Sequence, residues 1–326
     1  RAADLLRERL GDRLSIDRPL APLTTYRVGG SAALFVNARS VDDLIAVAEA
    51  RARTGVAVLT VGRGSNMLVA DDGFAGVALS VSELASGIDI HAADQPEQPE
   101  VGTPVEVVAG GGAALPVVAR RTAAAGVRGF EWAVGVPGSI GGAVRMNAGG
   151  HGSDMAACLI DVGVFDMNDA ARGVHRLGVD EIGLRFRASA LPPAHVVLDA
   201  RLALRTGDRA AAEAEIGEIV RGRREHQPGG QNCGSVFVNP VPGEVTSGGL
   251  IDSLGLRGLR IGTAWVSEKH ANFIQADDGG SAADVRAVIE EVRGRVAAHT
   301  GYRLRSEVRL VGFDDADPMS FEERSA

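Results

Sequence analysis

Gly126–Asn147 reads GVRGFEWAVGVPGSIGGAVRMN. It holds six glycines and one proline among apolar residues, with almost no charge at its centre. In the run Gly135-Val136-Pro137-Gly138-Ser139-Ile140-Gly141-Gly142, backbone N–H groups are closely spaced and few side chains stand in the way. A bound diphosphate needs donors at short range and an open approach, and glycine allows both. Upstream, Val61-Gly62-Arg63-Gly64-Ser65-Asn66 has the same character. Either loop alone reads equally well as a tight turn. The pair points to a dinucleotide held by backbone amides rather than by lysines.

The familiar nucleotide loops do not fit. A Rossmann loop needs G-x-G-x-x-G opening a helix after a strand. Gly62-Arg63-Gly64-Ser65-Asn66-Met67 lacks the third glycine, and β-type residues Met67-Leu68-Val69 follow it. No Gly-Lys-Ser/Thr tripeptide of a P-loop occurs. The remaining arrangement is a cofactor between two α/β units, touched by both glycine loops.

Working outward, a short helix and lead-in precede Pro19, and a strand follows over Ala33–Asn37. Ser40 caps a helix running to about Arg53, with Val41, Leu44, Ile45, Val47 and Ala48 at helical spacing and Gly55 as the stop. Val56–Val61, Met67–Val69 and Val77–Val81 read as short strands, so residues 1–80 form a first subdomain. Ala85–Thr103 is polar and reads as a hairpin or surface loop. A strand at Glu106–Ala109, a helix at Ala114–Ala125, the central loop, a strand pair at Cys158–Met167 and Gly173–Leu177, and a strand at Val196–Leu204 fill a second subdomain, 81–209. A third region, 210–312, starts with the helix Ala210–Arg224 and a Pro/Gly-rich linker at Gln227–Gly234. It continues with a short strand at Ser235–Asn239, short strands supplied by Ile261, Thr263 and Ala264 and then by Asn272–Gln275, a Ser281-capped helix to His299 and a last strand at Arg303–Val311. The tail, 313–326, is acidic and expected to be mobile.

Bulk properties narrow the function. The chain has 326 residues, 45% hydrophobic and 23% charged, enough for a large core in two or three domains. A net charge of -8 argues against nucleic acid and anionic membranes as partners. No apolar run approaches the roughly 20 residues of a membrane span. The charged N-terminal stretch RAADLLRERL has no signal-peptide core, so a cytoplasmic location is expected; a monomer is expected as well. Cys158 and Cys233 are expected as reduced thiols. The seven histidines lack metal-ligand spacing, so no metal is expected. Trp132 and Trp265 read as core.

Several blocks resemble the UDP-N-acetylenolpyruvoylglucosamine reductase family. They are VLTVGRGSNMLV (Val58–Val69), GFEWAVGVPGSIGGAVRMN (Gly129–Asn147), GSVFVNP (Gly234–Pro240), GLIDSLGLRGLRIG (Gly249–Gly262), SEKHANFI (Ser267–Ile274) and SEVRLVG (Ser306–Gly312). They cover nearly the whole chain in the expected order. The resemblance implies an α+β fold: a two-part FAD-binding domain of the vanillyl-alcohol-oxidase type plus a C-terminal α/β substrate domain, in the family's short form. It implies noncovalent FAD, since no histidine or cysteine sits in the first loop, and NADPH as reductant. The implied reaction converts an enolpyruvyl UDP-sugar to UDP-N-acetylmuramate, a step of peptidoglycan precursor synthesis. Hydride travels by way of FAD N5 to the enolpyruvyl C3, and a proton reaches C2.

The resemblance also assigns residues. Ser235 falls on the proton donor, Arg187 on the arginine that polarises the substrate carboxylate, and Glu307 on the glutamate that works with it at the developing enolate. Such chemistry needs a cation where negative charge develops and a positioned proton donor. Gly62, Arg63, Gly64, Ser65 and Asn66 match the first diphosphate loop. Gly138, Ser139, Gly141, Gly142 and Ala143 match the second, with Asn147, Ala148 and Gly149 nearby. Asn239 matches a position near the substrate diphosphate, and Gln227, Lys269 and His270 are further candidates for that pocket. The chain departs from the family pattern at Phe186, where tyrosine is usual, at Gly150-His151 for Ala-Tyr, at Val238 for Lys or Arg, and at Thr24 for Asn. Two other readings remain open: a same-fold FAD oxidase or dehydrogenase acting on an alcohol, which needs a base beside the flavin, and a flavin- or nucleotide-sugar-binding protein without turnover.

Overall fold

The computed structural model describes residues 1–91 and 100–313. The acidic tail and the centre of the polar 85–103 stretch lie outside the described residues. The chain forms two compact units, each drawn from three stretches: 1–16, 34–63 and 76–223 in one, and 17–33, 64–75 and 224–326 in the other. Among the described residues no helix is long and apolar enough to cross a membrane.

In the first unit, local signals set the helix Val41–Thr54. The Ser40 hydroxyl accepts the Asp43 N–H (3.3 Å), and the Asp43 carboxylate accepts the Ser40 N–H (3.2 Å). This reciprocal cap satisfies two donors that the helix start leaves unpaired. Gly55, at φ 71, closes the other end. Val58–Thr60 pairs in parallel with Val77–Leu79 of the strand Phe74–Ser80.

A larger antiparallel sheet follows, in the order Val174–Gly178, Leu159–Asp166, His195–Thr206, Pro104–Gly110, Ile88–His91. The short strand Val127–Arg128 also pairs with His195–Thr206. Both faces of this sheet carry buried residues. Val162, Val164 and Val197 point into one core with Val118, Phe130 and Ile140. Phe165, Val196 and Leu198 point into another with Leu44, Val47 and Leu79. Period-two alternation along a strand sorts neighbouring residues between two cores, and each such side chain contributes roughly 1.5–3 kcal/mol by leaving water.

The central stretch is not the open loop expected from its glycines. Glu131–Gly135 forms a buried 3-10 turn, and Ile140–Met146 is an α-helix. The cause is packing plus a cap. Phe130, Trp132, Ile140 and Val144 are core residues, and Ser139 supplies the N-cap.

In the second unit, the helix Ala282–Thr300 buries Val285, Val288, Ile289, Val292 and Val296 in a core shared with Tyr26, Leu68, Val236, Phe237, Val266 and Ile274. That core includes residues of a three-stranded antiparallel sheet made of Arg260–Ile261, Ala264–Val266 and Ile274–Ala276. Ser281 caps the helix as expected, and Gly301 ends it. Asp71 adds a remote cap, accepting from the Ala282 and Ala283 N–H groups (2.8 and 3.0 Å) and the Ser281 hydroxyl (2.7 Å).

Three expectations need correction. The final strand is only Arg309–Val311, paired in parallel with Met67–Val69. Ser235–Asn239 is not a strand; it makes one isolated bridge, Phe237 to Ser306. Trp265 is half-buried rather than core, with the Arg260 guanidinium 4.6 Å over its ring. Cys158 and Cys233 are buried free thiols, each pushed up to about 12 chiefly by burial.

Candidate functional site

Within the first unit the two glycine loops meet. A Cβ on Gly62 would lie 2.5 Å from the Ser139 hydroxyl, so only glycine leaves this contact open. Ser139 is buried and accepts the Gly142 N–H (3.3 Å). The next amides are already used: Ile140 donates to Ala113 O (2.9 Å), Gly141 to Gly111 O (2.8 Å) and Ala143 to Ser139 O (2.8 Å). Ala148 likewise donates to Ala143 O (2.8 Å). At Gly141 packing is tight, since a Cβ there would sit 3.1 Å from Gly111 O. The amides of Gly62, Arg63, Gly138 and Ser139 make no hydrogen bond among the described residues. Four backbone donors around a contact that a side chain would fill fit an anionic diphosphate. The residues present therefore fit FAD, with Gly62, Arg63, Gly138 and Ser139 as donors.

The rest of the first loop belongs to the second unit. Gly64, at φ 55, lies so close to the backbone that a Cβ would be 2.2 Å from Leu23 O. Asn66 donates its carboxamide to Glu307 O (2.8 Å) and accepts the Arg309 N–H (3.0 Å) through its own carbonyl. Asn66 therefore fixes the Glu307 backbone. Gly149 forms part of a tight hairpin, in which a Cβ would come 2.5 Å from Asp154 Cβ.

Arg187 occupies a turn closed by Arg185 and Ala188, whose amides donate to each other's carbonyls (2.8 and 3.1 Å). Arg187 itself is at φ 56, a conformation non-glycine residues adopt rarely, so the turn must be held from outside. The short helix Ile140–Met146 and its C-cap hold it. Asn147, buried and at φ 38, donates to Arg185 O and to Asp154 Oδ2 (both 3.1 Å) and accepts the Ala156 N–H (3.0 Å). The Ser189 hydroxyl donates to Arg145 O (2.8 Å), and the Arg145 guanidinium donates to Leu191 O (3.1 Å) and His195 O (2.6 Å). The Asn147 side chain is thus spent on the protein. The Phe186 ring is exposed and lies 5.4 Å from the Arg187 guanidinium carbon.

Ser235, Asn239 and His270 share one cleft in the second unit, about 370 Å³, with Thr246, Asp252, Arg257 and Asn272. Gly234, at φ 85, turns the chain so that Ser235 is exposed while Val236, Phe237 and Val238 are buried. Glu307 runs alongside, donating its N–H to Val236 O (2.8 Å). The Asn239 carbonyl oxygen accepts the Ser247 N–H (3.0 Å), which leaves its NH₂ as the donor end. The His270 Nδ1 accepts the Asn272 N–H (3.2 Å), so the neutral ring carries its proton on Nε2. Burial, and then the Arg257 charge, hold His270 below the ordinary histidine range. Arg257 is itself anchored to Asp252 (2.5 Å) and Glu268 O (2.8 Å). Lys269 does not line the cleft; it donates to Arg224 O (2.7 Å) near the end of the helix Arg209–His226. Gln227, just past that helix, does not line the cleft either.

Sequence reasoning missed Asn272, Arg145 and the bracket role of Asn66. Asn272 had one signal: a polar residue between apolar Ala271 and Phe273, at the start of a stretch that reads as a strand.

Residues 226–311 match the C-terminal domain of UDP-N-acetylenolpyruvoylglucosamine reductase, and residues 32–170 match an FAD binding domain. UDP-N-acetylenolpyruvoylglucosamine reductase of Synechococcus sp. strain WH7803 is 39% identical over 305 residues, covering 92% of this chain and 93% of its own. The protein of that name from Heliobacterium modesticaldum is 40% identical over 296 residues, covering 90% and 89%. The crystal structure of UDP-N-acetylenolpyruvylglucosamine reductase from Thermus caldophilus superposes with a TM-score of 0.73 at 30% identity, covering 91% of this chain and 99% of that one.

Proposed function

Because this chain belongs to the UDP-N-acetylenolpyruvoylglucosamine reductase family, we propose that it reduces UDP-N-acetyl-3-O-(1-carboxyvinyl)-glucosamine to UDP-N-acetylmuramate with NADPH, a cytoplasmic step of peptidoglycan precursor synthesis. The observation that carries this reading is 39% identity over nearly the full length of both chains. We assign FAD to the region 1–209 and the sugar nucleotide to 210–312. The matches to an FAD binding domain at 32–170 and to the reductase C-terminal domain at 226–311 support that division.

Gly62, Arg63, Gly138 and Ser139 hold the FAD diphosphate through backbone N–H groups. When bound, FAD supplies the two-electron transfer that links NADPH oxidation to the alkene, with hydride arriving at C3. Arg187 carries a permanent positive charge and a planar set of donors suited to a carboxylate. Against the substrate carboxylate it draws electron density from the alkene and stabilises the negative charge that develops at C2. The Ser235 hydroxyl gives its proton to C2, which completes the reduction. A serine is a weak acid, so the transfer depends on the strong basicity of that carbon. Glu307 acts with Arg187 at the developing enolate. The Asn239 NH₂ and the His270 Nε2–H donate to the sugar nucleotide. The weaker candidates Gln227 and Lys269 act through the fold rather than on the substrate.

The test is purification and an anaerobic spectrum. The protein is yellow, NADPH bleaches it, and the enolpyruvyl sugar nucleotide restores the colour while gaining two hydrogens. A flavin that reoxidises fast in O₂ and ignores the sugar nucleotide overturns the proposal in favour of an oxidase.

A further inference from the structure

The exposed Ser235 sits at the start of a segment with no sheet to stabilise it. Val236–Val238 instead lies between two partners. On one side is Arg305–Glu307, with Val238 N–H on Arg305 O (3.0 Å) and Glu307 N–H on Val236 O (2.8 Å). On the other side is a single residue, Asn272, which is 5% exposed. Its carbonyl accepts the Val236 N–H (2.9 Å), its Oδ1 accepts the Phe237 N–H (2.9 Å), and its NH₂ donates to Phe237 O (2.8 Å). The carboxamide imitates the backbone of a missing neighbouring strand. The same residue's N–H fixes the His270 ring in the cleft (3.2 Å).

We propose that Asn272 is the positioning residue of this cleft, holding the Ser235 segment through paired hydrogen bonds to Phe237 and the His270 ring through its own amide. The proposal rests on the reading of Ser235 as proton donor for its effect on turnover, but its structural part does not. A buried carboxamide that pairs with both the N–H and the C=O of one residue costs free energy when either bond is lost, because the abandoned backbone atom stays buried. A protonated carboxyl offers the same pattern, with C=O as acceptor and O–H as donor, whereas a carboxylate offers only acceptors.

Asn272→Ala and Asn272→Asp in the FAD-loaded enzyme test this. In both, NADPH reduces the flavin within twofold of the wild-type rate. Reoxidation by the enolpyruvyl sugar slows at least tenfold in Asn272→Ala, and likewise in Asn272→Asp at high pH. Asn272→Asp recovers towards wild type as the pH falls and its carboxyl protonates, a rise wild type does not share. His270 on the same loop and Arg305 and Glu307 on the facing segment are present in both proteins, so the comparison isolates residue 272. If Asn272→Ala does not fold, the pH profile of Asn272→Asp carries the test.

Amide exchange gives a readout independent of any substrate. Peptides covering 235–239 exchange at least tenfold faster in both variants at neutral pH, while peptides from the helix Ala282–Thr300 do not change. Unchanged exchange at 235–239, wild-type reoxidation in Asn272→Ala, or an equal loss of both half-reactions overturns the proposal. If wild type itself is not reoxidised by the sugar nucleotide, the assigned reaction is wrong, and the exchange result still decides the role of Asn272.

Discussion

Asn147 donates its carboxamide to Arg185 O at 3.1 Å, so a helix C-cap is tied to the turn that carries Arg187 two residues later. The helix that ends at Asn147 begins at Ser139, beside Gly62. Seven residues at about 1.5 Å rise each span roughly 10 Å. One rigid element therefore sets the spacing between the candidate diphosphate donors and the Arg187 turn.

Asn147→Ala removes that tie and leaves the Ala156 N–H without its partner, while the Arg185 carbonyl keeps only the Ala188 N–H of its own turn. We expect a loss of about 1–3 kcal/mol in stability, read from the denaturant midpoint. We also expect kcat on the enolpyruvyl sugar to fall at least tenfold with FAD still bound. Unchanged kcat would mean that the Arg187 turn holds itself.

Gly62→Ala places a methyl against the Ser139 hydroxyl, which must then abandon the Gly142 N–H. FAD affinity is expected to fall at least tenfold, and stability by about 1 kcal/mol, the usual worth of a helix cap. Titration of the apoprotein with FAD, followed by flavin fluorescence, measures the first. Wild-type affinity would remove Gly62 from the cofactor site.

Asp161 is held down to about 2, first by the Arg201 hydrogen bond and then by Arg176, with burial opposing. Its folded value lies below its unfolded one, so the stabilisation is complete above about pH 4 and disappears as pH falls through about 2. Both guanidiniums are partly exposed, so the contribution is on the order of 1 kcal/mol. Asp161→Asn should be less stable than wild type at neutral pH, and the gap should close in acid. A gap that persists at low pH would place the effect in packing instead of charge.

Asp71 caps a helix from outside it. Burial raises its carboxyl, but the Ala282 and Ala283 N–H groups and the Ser281 hydroxyl outweigh burial and leave it below the usual range. Asp71→Ala should cost about 1 kcal/mol, seen as a lower Tm, with FAD affinity unchanged. The loss should shrink as pH falls below the carboxylate range, because the wild-type cap is then protonated too.

What the sequence made legible follows the range of the interactions. The helix after Ser40 and the helix after Ser281 were readable because cap, apolar spacing and terminal glycine all lie within the element. The segment at 235–239 has a strand's sequence but is not one, because the Asn272 side chain takes the place of a neighbouring strand. The last strand is shorter than its sequence suggests because its partner, Met67–Val69, is remote in sequence and only three residues pair. At the site, the glycine loops were legible as loops, but the helix inside the second one was not. The side chain of Asn147, a residue expected beside the cofactor, is a structural tie, which its motif does not show. Motifs show which residues gather, and they do not show which hydrogen bonds the fold has already spent.

The most direct measurement is anaerobic stopped-flow on Ser235→Ala loaded with FAD. NADPH should bleach the flavin at the wild-type rate, and the enolpyruvyl sugar nucleotide should then restore its colour at least a hundredfold more slowly than in wild type. Recolouring at the wild-type rate would contradict the assignment of Ser235 as the proton donor.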